Sequence, residues 1–390
     1  MIMKAIITYR PDSQKIKGSI RDSLTTDILR DICQRITNQH NFIVREDTSS
    51  YNKGRLVIVD YNGMRSYITL SERKFEGRNS SIQSVPTALN SFCQDDYSDK
   101  QLCYYFLPHT GNAFTDYHLF MYRLMATAGM HFINSAQYTT QLITPFTSVD
   151  DLIYAKRLLR EANKSNNSSY VTKSDTGVQI YAKVYGASKY ESTLLAFATS
   201  KIAHKEIDLF NVRERDLQQL PKSSRDTLTK LNIKFHDTPL YFDIKHQNDT
   251  QTESLRSSAY IYNLLNRIGD KRCALCGCPI QEIVQGAHIW NVADIRHSNL
   301  QDSEKFKAAT NGNNGLWLCQ NHHKLFDANI IMIDHDGSLR ISDTLDDNDT
   351  AFIKEMTPER HLEKSILSDE FLQYLDLRNV SVDISHSVAI

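Results

Sequence analysis

Two short spacings constrain this chain more than anything else in its sequence: Cys273-Ala-Leu-Cys276 and, further on, Cys319-Gln-Asn-His322. Two residues separate the donors in each pair, which lets each pair grip one ion from a tight turn. Together they make a Cys3His set, and soft sulfur with imidazole nitrogen suits zinc better than magnesium or calcium. A closed tetrahedral site of this kind is structural: it pins both ends of a segment of about fifty residues that has little core of its own. Cys278 is a spare thiol, and a swap for Cys276 is geometrically open.

The chain has 390 residues, enough for about two or three domains. Hydrophobic residues make up 41%, charged residues 23% and the mean hydropathy is -0.44, which excludes a disordered chain and a membrane-embedded one. No stretch approaches the roughly 18 apolar residues of a spanning helix, and the start lacks a signal peptide's apolar centre, so a cytoplasmic location without a membrane is expected. Seven cysteines, an odd number, fit metal binding better than a disulfide framework. The net charge of -1 hides a division. Residues 341–390 hold four basic and eleven acidic side chains, so residues 1–340 carry 41 basic against 35 acidic, and a near-neutral balance does not exclude nucleic acid.

Polar, breaker-rich runs divide the chain into residues 1–165, a small α/β middle segment at 166–250, a cysteine-rich domain at 251–340 and an acidic tail at 341–390. In the first part, helices are expected near 25–39 and 117–127, a hairpin at 55–70 around Asn62-Gly63, and a strand at 102–107. The middle segment reads β-α-β: a strand at 178–185, a helix at 191–202 and a strand at 207–212. A helix over 255–268 leads into the cysteines, and the amphipathic run 371–375 is expected to pack on the body.

Between the two knuckles lie Ala287-His288-Ile289 and Asn311-Gly-Asn-Asn314-Gly-Leu-Trp-Leu-Cys319, followed by His322-His323-Lys-Leu-Phe-Asp327. In this order, over roughly residues 265–340, the chain resembles the HNH nuclease family, whose ββα-metal fold carries a His on the first strand, an Asn in the following loop and a His on the helix. The resemblance implies that His288 is the general base, taking a proton from water that attacks phosphorus in line. It implies that His323 ligates a magnesium or manganese ion distinct from the zinc. Asn314 would ligate this ion or hold the His288 loop, with Asn311 and Asn313 close enough to take its place. Many members carry an Asp before the first His, where this chain has Ala287. Asp327, four residues after His323 and on the same helix face, either supplies the missing carboxylate or braces the helix.

The implied fold class is therefore an α+β multidomain protein, with a mixed α/β amino-terminal DNA-recognition region and a carboxy-terminal zinc-braced ββα-metal domain. By analogy of architecture, the function expected is a sequence-specific double-stranded DNA endonuclease of the restriction type, leaving 5′-phosphate and 3′-hydroxyl ends. It would act as a homodimer on two-fold DNA, with a cognate methyltransferase in the same system. A modification-dependent nuclease, a nucleotide-activated defence nuclease and a non-catalytic zinc-held DNA binder are the alternatives. Arg65, Arg73, Lys74 and Arg78 are candidate DNA contacts, with a solvated edge strand as the bland reading. Asp60 with Glu72-Arg-Lys74 superficially matches another nuclease pattern. Lys183, Lys189 and Glu191 surround a strand-to-helix turn, where a capping role is expected for Glu191.

Overall fold

The computed structural model describes residues 4–9, 25–46, 56–70, 85–106, 116–134, 143–162, 169–183, 188–213, 220, 222–239, 258–380 and 387–389. The chain divides into two compact units, one of residues 1–169, 182–211 and 217–236, the other of residues 170–181, 212–216 and 237–390. The middle segment expected at 166–250 is thus shared between them. Among the described residues no helix is long and apolar enough to cross a membrane.

The first unit is built on β1 (Ala5–Tyr9), α1 (Thr26–Thr37), β2 (Phe42–Glu46), β3 (Val57–Tyr61), β4 (Met64–Leu70), α2 (Val85–Gln94), β5 (Lys100–Phe106), α3 (Asp116–Thr127), β6 (Met130–Asn134) and α4 (Val149–Ala162). Its six-stranded sheet has the order β2-β1-β3-β4-β5-β6. β1 pairs parallel with β2 and antiparallel with β3, the β3–β4 pair is antiparallel, and β5 is parallel to both β4 and β6. Asn62 (φ 51°) and Gly63 (φ 84°) make the two-residue turn between β3 and β4, as that dipeptide demands. α1 starts on a Thr25 cap, whose side chain accepts from the Ile28 N–H. Its Leu29, Ile32 and Cys33 pack on Ile7, Val57, Val59, Ile68 and Tyr105. β5 is buried from Leu102 to Phe106, because its alternate side chains Tyr104 and Phe106 meet Tyr122 of α3 on the other face.

β7 (Ser169–Lys173) and β8 (Gly177–Lys183) follow, then α5 (Ser188–Ile202), β9 (Glu206–Arg213), α6 (Lys222–Lys230) and β10 (Lys234–Pro239). Glu191 of α5 is 1% exposed and does not cap the turn. It pairs with the buried Lys156 at 2.7 Å and accepts from Ser169 at 2.8 Å and Tyr117 at 3.2 Å. Removing one member leaves a buried charge without its counterpart. Lys156→Ala is therefore expected to destabilise the amino-terminal unit by about 3–5 kcal/mol, read from urea unfolding.

Arg65 grips Asp60 through Nε (2.6 Å) and Nη2 (2.9 Å), reaches Asp95 through Nη1 (2.8 Å), and lies over the Tyr97 ring. These donors, and the Asp60 carboxylate, are engaged inside the fold. Arg73, Lys74, Arg78 and Glu72 lie outside the described residues.

The second unit continues with α7 (Ser258–Ile268), β11 (Val284–His288), α8 (Val292–His297), α9 (Asp302–Thr310), a 3-10 turn (Gly312–Asn314), β12 (Gly315–Cys319) and α10 (Gln320–Asp327). It closes with β13 (Ile331–Ile333), β14 (Leu339–Ser342), α11 (Asp347–Met356), α12 (Asp369–Asn379) and β15 (Ser387–Ala389). β11 and β12 form an antiparallel pair in which His288 opposes Gly315 and Val284 opposes Cys319. β13, β14 and β15 form a second small sheet. The acidic residues 341–380 are not a loose tail: Phe371 and Leu375 are fully buried on α12, and the expected amphipathic run packs on the unit.

Candidate metal and active centre

The first knuckle is a tight turn closed by Gly277 N–H to Cys273 O (2.8 Å) and by Cys273 N–H to Cys278 O (3.0 Å), with Gly277 at φ +65°. The second sits where β12 runs into α10, with Cys319 as the helix N-cap. Donor atoms of Cys273, Cys276, Cys319 and His322 all lie within 4.8 Å of one another. Cys276 Sγ is 3.9 Å from Cys319 Sγ, and His322 Nδ1 is 3.5 Å from Cys273 Sγ and 3.2 Å from Cys319 Sγ. Zinc–sulfur bonds of about 2.3 Å give sulfur–sulfur edges of about 3.8 Å in a tetrahedron, so the set fits zinc. Of the two thiols left open by the sequence, Cys276 joins the cluster, while Cys278 serves through its backbone carbonyl. Burial, with the thiols of Cys273 and Cys319 adding to it, pushes the Cys276 thiol up to about 12. Binding a cation there requires loss of its proton. On the far side of the imidazole, His322 Nε2 meets the Thr357 hydroxyl at 3.1 Å, an orienting contact contributed by the acidic carboxy-terminal stretch.

The β11–β12 hairpin presents two faces. Gly286 and His288 point toward α7: a Cβ on Gly286 would come within 2.9 Å of Tyr260, and the His288 ring stacks on Tyr260 with centroids 3.9 Å apart and planes 15° from parallel. Gln285 and Ala287 alternate to the other face, where Gln285 Oε1 lies 3.3 Å from Nδ1 of His323 on α10. His323 Nε2 in turn lies 3.5 Å from Asp327 Oδ2, one helical turn on. His323 is 9% exposed along its side chain and Asp327 47%, so the pair opens from the interior toward solvent.

His288 is 7% exposed, and its Nε2 is 2.9 Å from the carbonyl of Ala309. A carbonyl accepts only, so this contact puts the proton on Nε2 and leaves the basic lone pair of the neutral ring on Nδ1. The backbone around the ring is clamped. Tyr260 donates to Ala287 O at 3.0 Å, Ile289 N–H donates to Asn314 O at 3.2 Å, and Arg378 donates to Ile289 O at 3.2 Å. The Asn314 amide accepts from Trp290 N–H at 2.8 Å and donates to Trp290 O and Ala308 O.

Of the two roles left open for Asn314, the geometry displays the loop brace: the side chain is fully buried and its oxygen is engaged by the backbone. Asn311 and Asn313 face elsewhere, donating to Glu370 at 2.6 Å and 2.5 Å. Arg378 also holds the end of α10, donating to Phe326 O and to Asn329 Oδ1. Burial pulls its guanidinium down to about 10.

Tyr260 was visible in the sequence only as one apolar position of a helix, and Gln285 not at all, although it stands two residues before Ala287 on the same strand face. Thr357, Glu370 and Arg378 carry no motif, and only the fold brings them to the site.

The glycines of the Asn-Gly-Asn-Asn-Gly run exist for α7. A Cβ on Gly312 would lie 2.6 Å from Asn263 O, and one on Gly315 would collide with the Tyr260 hydroxyl. Gly315→Ala is expected to destabilise the carboxy-terminal unit by about 1–3 kcal/mol. The matching observation is a lower melting temperature together with a shifted His288 resonance, since Tyr260 supports that ring.

No curated protein matches the chain. Residues 273–334 match the family model HNH_2, described as HNH endonuclease, and this span holds the four clustered donors, the hairpin and α10. Residues 273–334 are therefore similar to an HNH endonuclease domain, which supports a nuclease acting on DNA.

Proposed function

We propose that the carboxy-terminal unit hydrolyses DNA phosphodiesters with His288 as general base, and with His323 and Asp327 holding a magnesium or manganese ion. The observation that carries this reading is that the segment matching the HNH endonuclease model holds both groups: His288 at the end of β11, with its Nε2 proton held by the Ala309 carbonyl, and His323 paired with Asp327 on α10.

His288 Nδ1 takes the proton of water as its oxygen attacks, and the bond to the 3′ oxygen breaks; the leaving 3′ alkoxide takes a proton from solvent water, giving 5′-phosphate and 3′-hydroxyl ends. A bound hard cation supplies charge stabilisation to the phosphate and to the leaving oxygen. An imidazole and a carboxylate form a donor set suited to manganese or magnesium, with water completing the shell. Asn314 acts on His288 through the backbone it braces, and the zinc cluster holds both ends of the hairpin-to-helix segment.

The remainder of the proposal is target choice. The amino-terminal unit has its own sheet and core, the scaffold that a recognition region requires. We read the whole as a restriction-type endonuclease, working as a homodimer because a duplex has two strands and each chain one such site. A methyltransferase of the same specificity would protect the host. The test is digestion of unmodified and methylated genomic DNA with magnesium, followed by sequencing of the ends. Cutting at one fixed sequence, blocked by methylation, is the result expected. Cutting of methylated DNA alone would make the enzyme modification-dependent, and cutting only after a small nucleotide is added would make it a signal-activated nuclease.

A further inference from the structure

We infer that Gln285 is the positioning residue that prepares His323 for a divalent cation, supplying through the imidazole a part of the site that Ala287 cannot. The inference rests on the reading of His323 and Asp327 as cation ligands. Family members with an Asp before the first His take a carboxylate from that strand position; here the side chain is a methyl group and offers no donor.

The same strand face still delivers a polar atom, one pleat earlier. Gln285 Oε1 lies 3.3 Å from His323 Nδ1. An amide oxygen only accepts, so the Nδ1 proton is fixed there, and in the neutral ring the lone pair falls on Nε2. That nitrogen is the one directed at Asp327, with Nε2 3.5 Å from Oδ2. Two donors each about 2.1 Å from one hard cation stand about 3.0–3.5 Å apart, so the pair already has the spacing of neighbouring ligands. Without the Gln285 oxygen the ring loses a contact that favours the tautomer with its lone pair on Nε2, while both ligands remain.

Gln285 is half-buried on a strand whose neighbours Val284 and Gly286 are buried against other elements, so its orientation is set by the hairpin. Such outer contacts are typically worth about 10–100-fold in metal affinity. The measurement is manganese binding to the zinc-replete full chain without DNA, read from the free-ion signal in electron paramagnetic resonance, with zinc content and melting temperature recorded for each protein. Gln285→Ala is expected to weaken manganese binding by about 10–100-fold with zinc and melting temperature unchanged. Gln285→Glu, which keeps an accepting oxygen at the same distance, is expected to restore binding to the wild-type level or above. His323→Ala is expected to abolish it.

If wild type binds manganese through His323 but Gln285→Ala binds equally well, the inference is overturned and the nuclease reading stands. If wild type binds no manganese at millimolar concentration, the His323–Asp327 contact is a structural ion pair, and both the inference and the cation part of the proposed mechanism fall.

Discussion

Cys273→Ser is expected to empty the zinc site and unfold the carboxy-terminal unit, while leaving the amino-terminal sheet folded. Structural zinc in such sites contributes apparent binding energies of about 10–16 kcal/mol, comparable to a domain's whole stability margin of about 5–15 kcal/mol. The cluster joins the turn before β11 to the start of α10, so its loss releases both ends of the hairpin at once. Zinc per chain by atomic absorption should fall from one to near zero, and the lower of two unfolding transitions should vanish. Cys278→Ser is the control and should keep its zinc, because only the backbone of that residue is used. Retention of zinc and of the transition in Cys273→Ser would mean that the donor set is wrong.

His288→Ala is expected to act in the opposite way, on rate and not on fold. General-base catalysis is worth about 10²–10⁴-fold, so single-turnover cleavage should drop by that factor with zinc content unchanged and DNA binding intact. Some stability is lost with the ring stacked on Tyr260, but the backbone at 287–290 keeps its clamps from Tyr260, Asn314 and Arg378. Wild-type rates in a correctly folded His288→Ala protein would show that the ring is a core histidine and that the base lies elsewhere.

What could be read from the residues followed from spacing. Two-residue knuckles are local, so the four clustered donors were visible in the sequence, and the choice between Cys276 and Cys278 needed only the turn around Gly277. Helix α1 announced itself by its period, and the β3–β4 hairpin by Asn62-Gly63. The role of Asn314 stayed open because three asparagines within four positions have the same chemistry; the difference lies in what each meets, Trp290 for Asn314 and Glu370 for its neighbours.

Long-range partners were hidden for the same reason. Thr357 reaches His322 across 35 residues and Arg378 reaches Ile289 across 89, from an acidic stretch in which the sequence marked only the packing run 371–375. Glu191 looked like a cap because its helix position allows one, and nothing nearby in the chain foretold Lys156, Ser169 and Tyr117 closing around it. The first passage between the units falls at 169/170, beside the breaker-rich run ending at Ser169, whereas the passages at 181/182 and 211/212 lie within strands and carry no such mark.

The central claim is that the carboxy-terminal unit breaks phosphodiester bonds by hydrolysis. Its most direct test is incubation of supercoiled plasmid with the zinc-replete protein and manganese, with end-labelling of the products. The account predicts nicked or linear DNA whose 3′-hydroxyl ends accept nucleotides from terminal transferase and whose 5′-phosphates permit ligation. Plasmid that stays supercoiled with every divalent cation tried, although the protein retards it in a gel, would contradict the account and leave a zinc-held DNA binder.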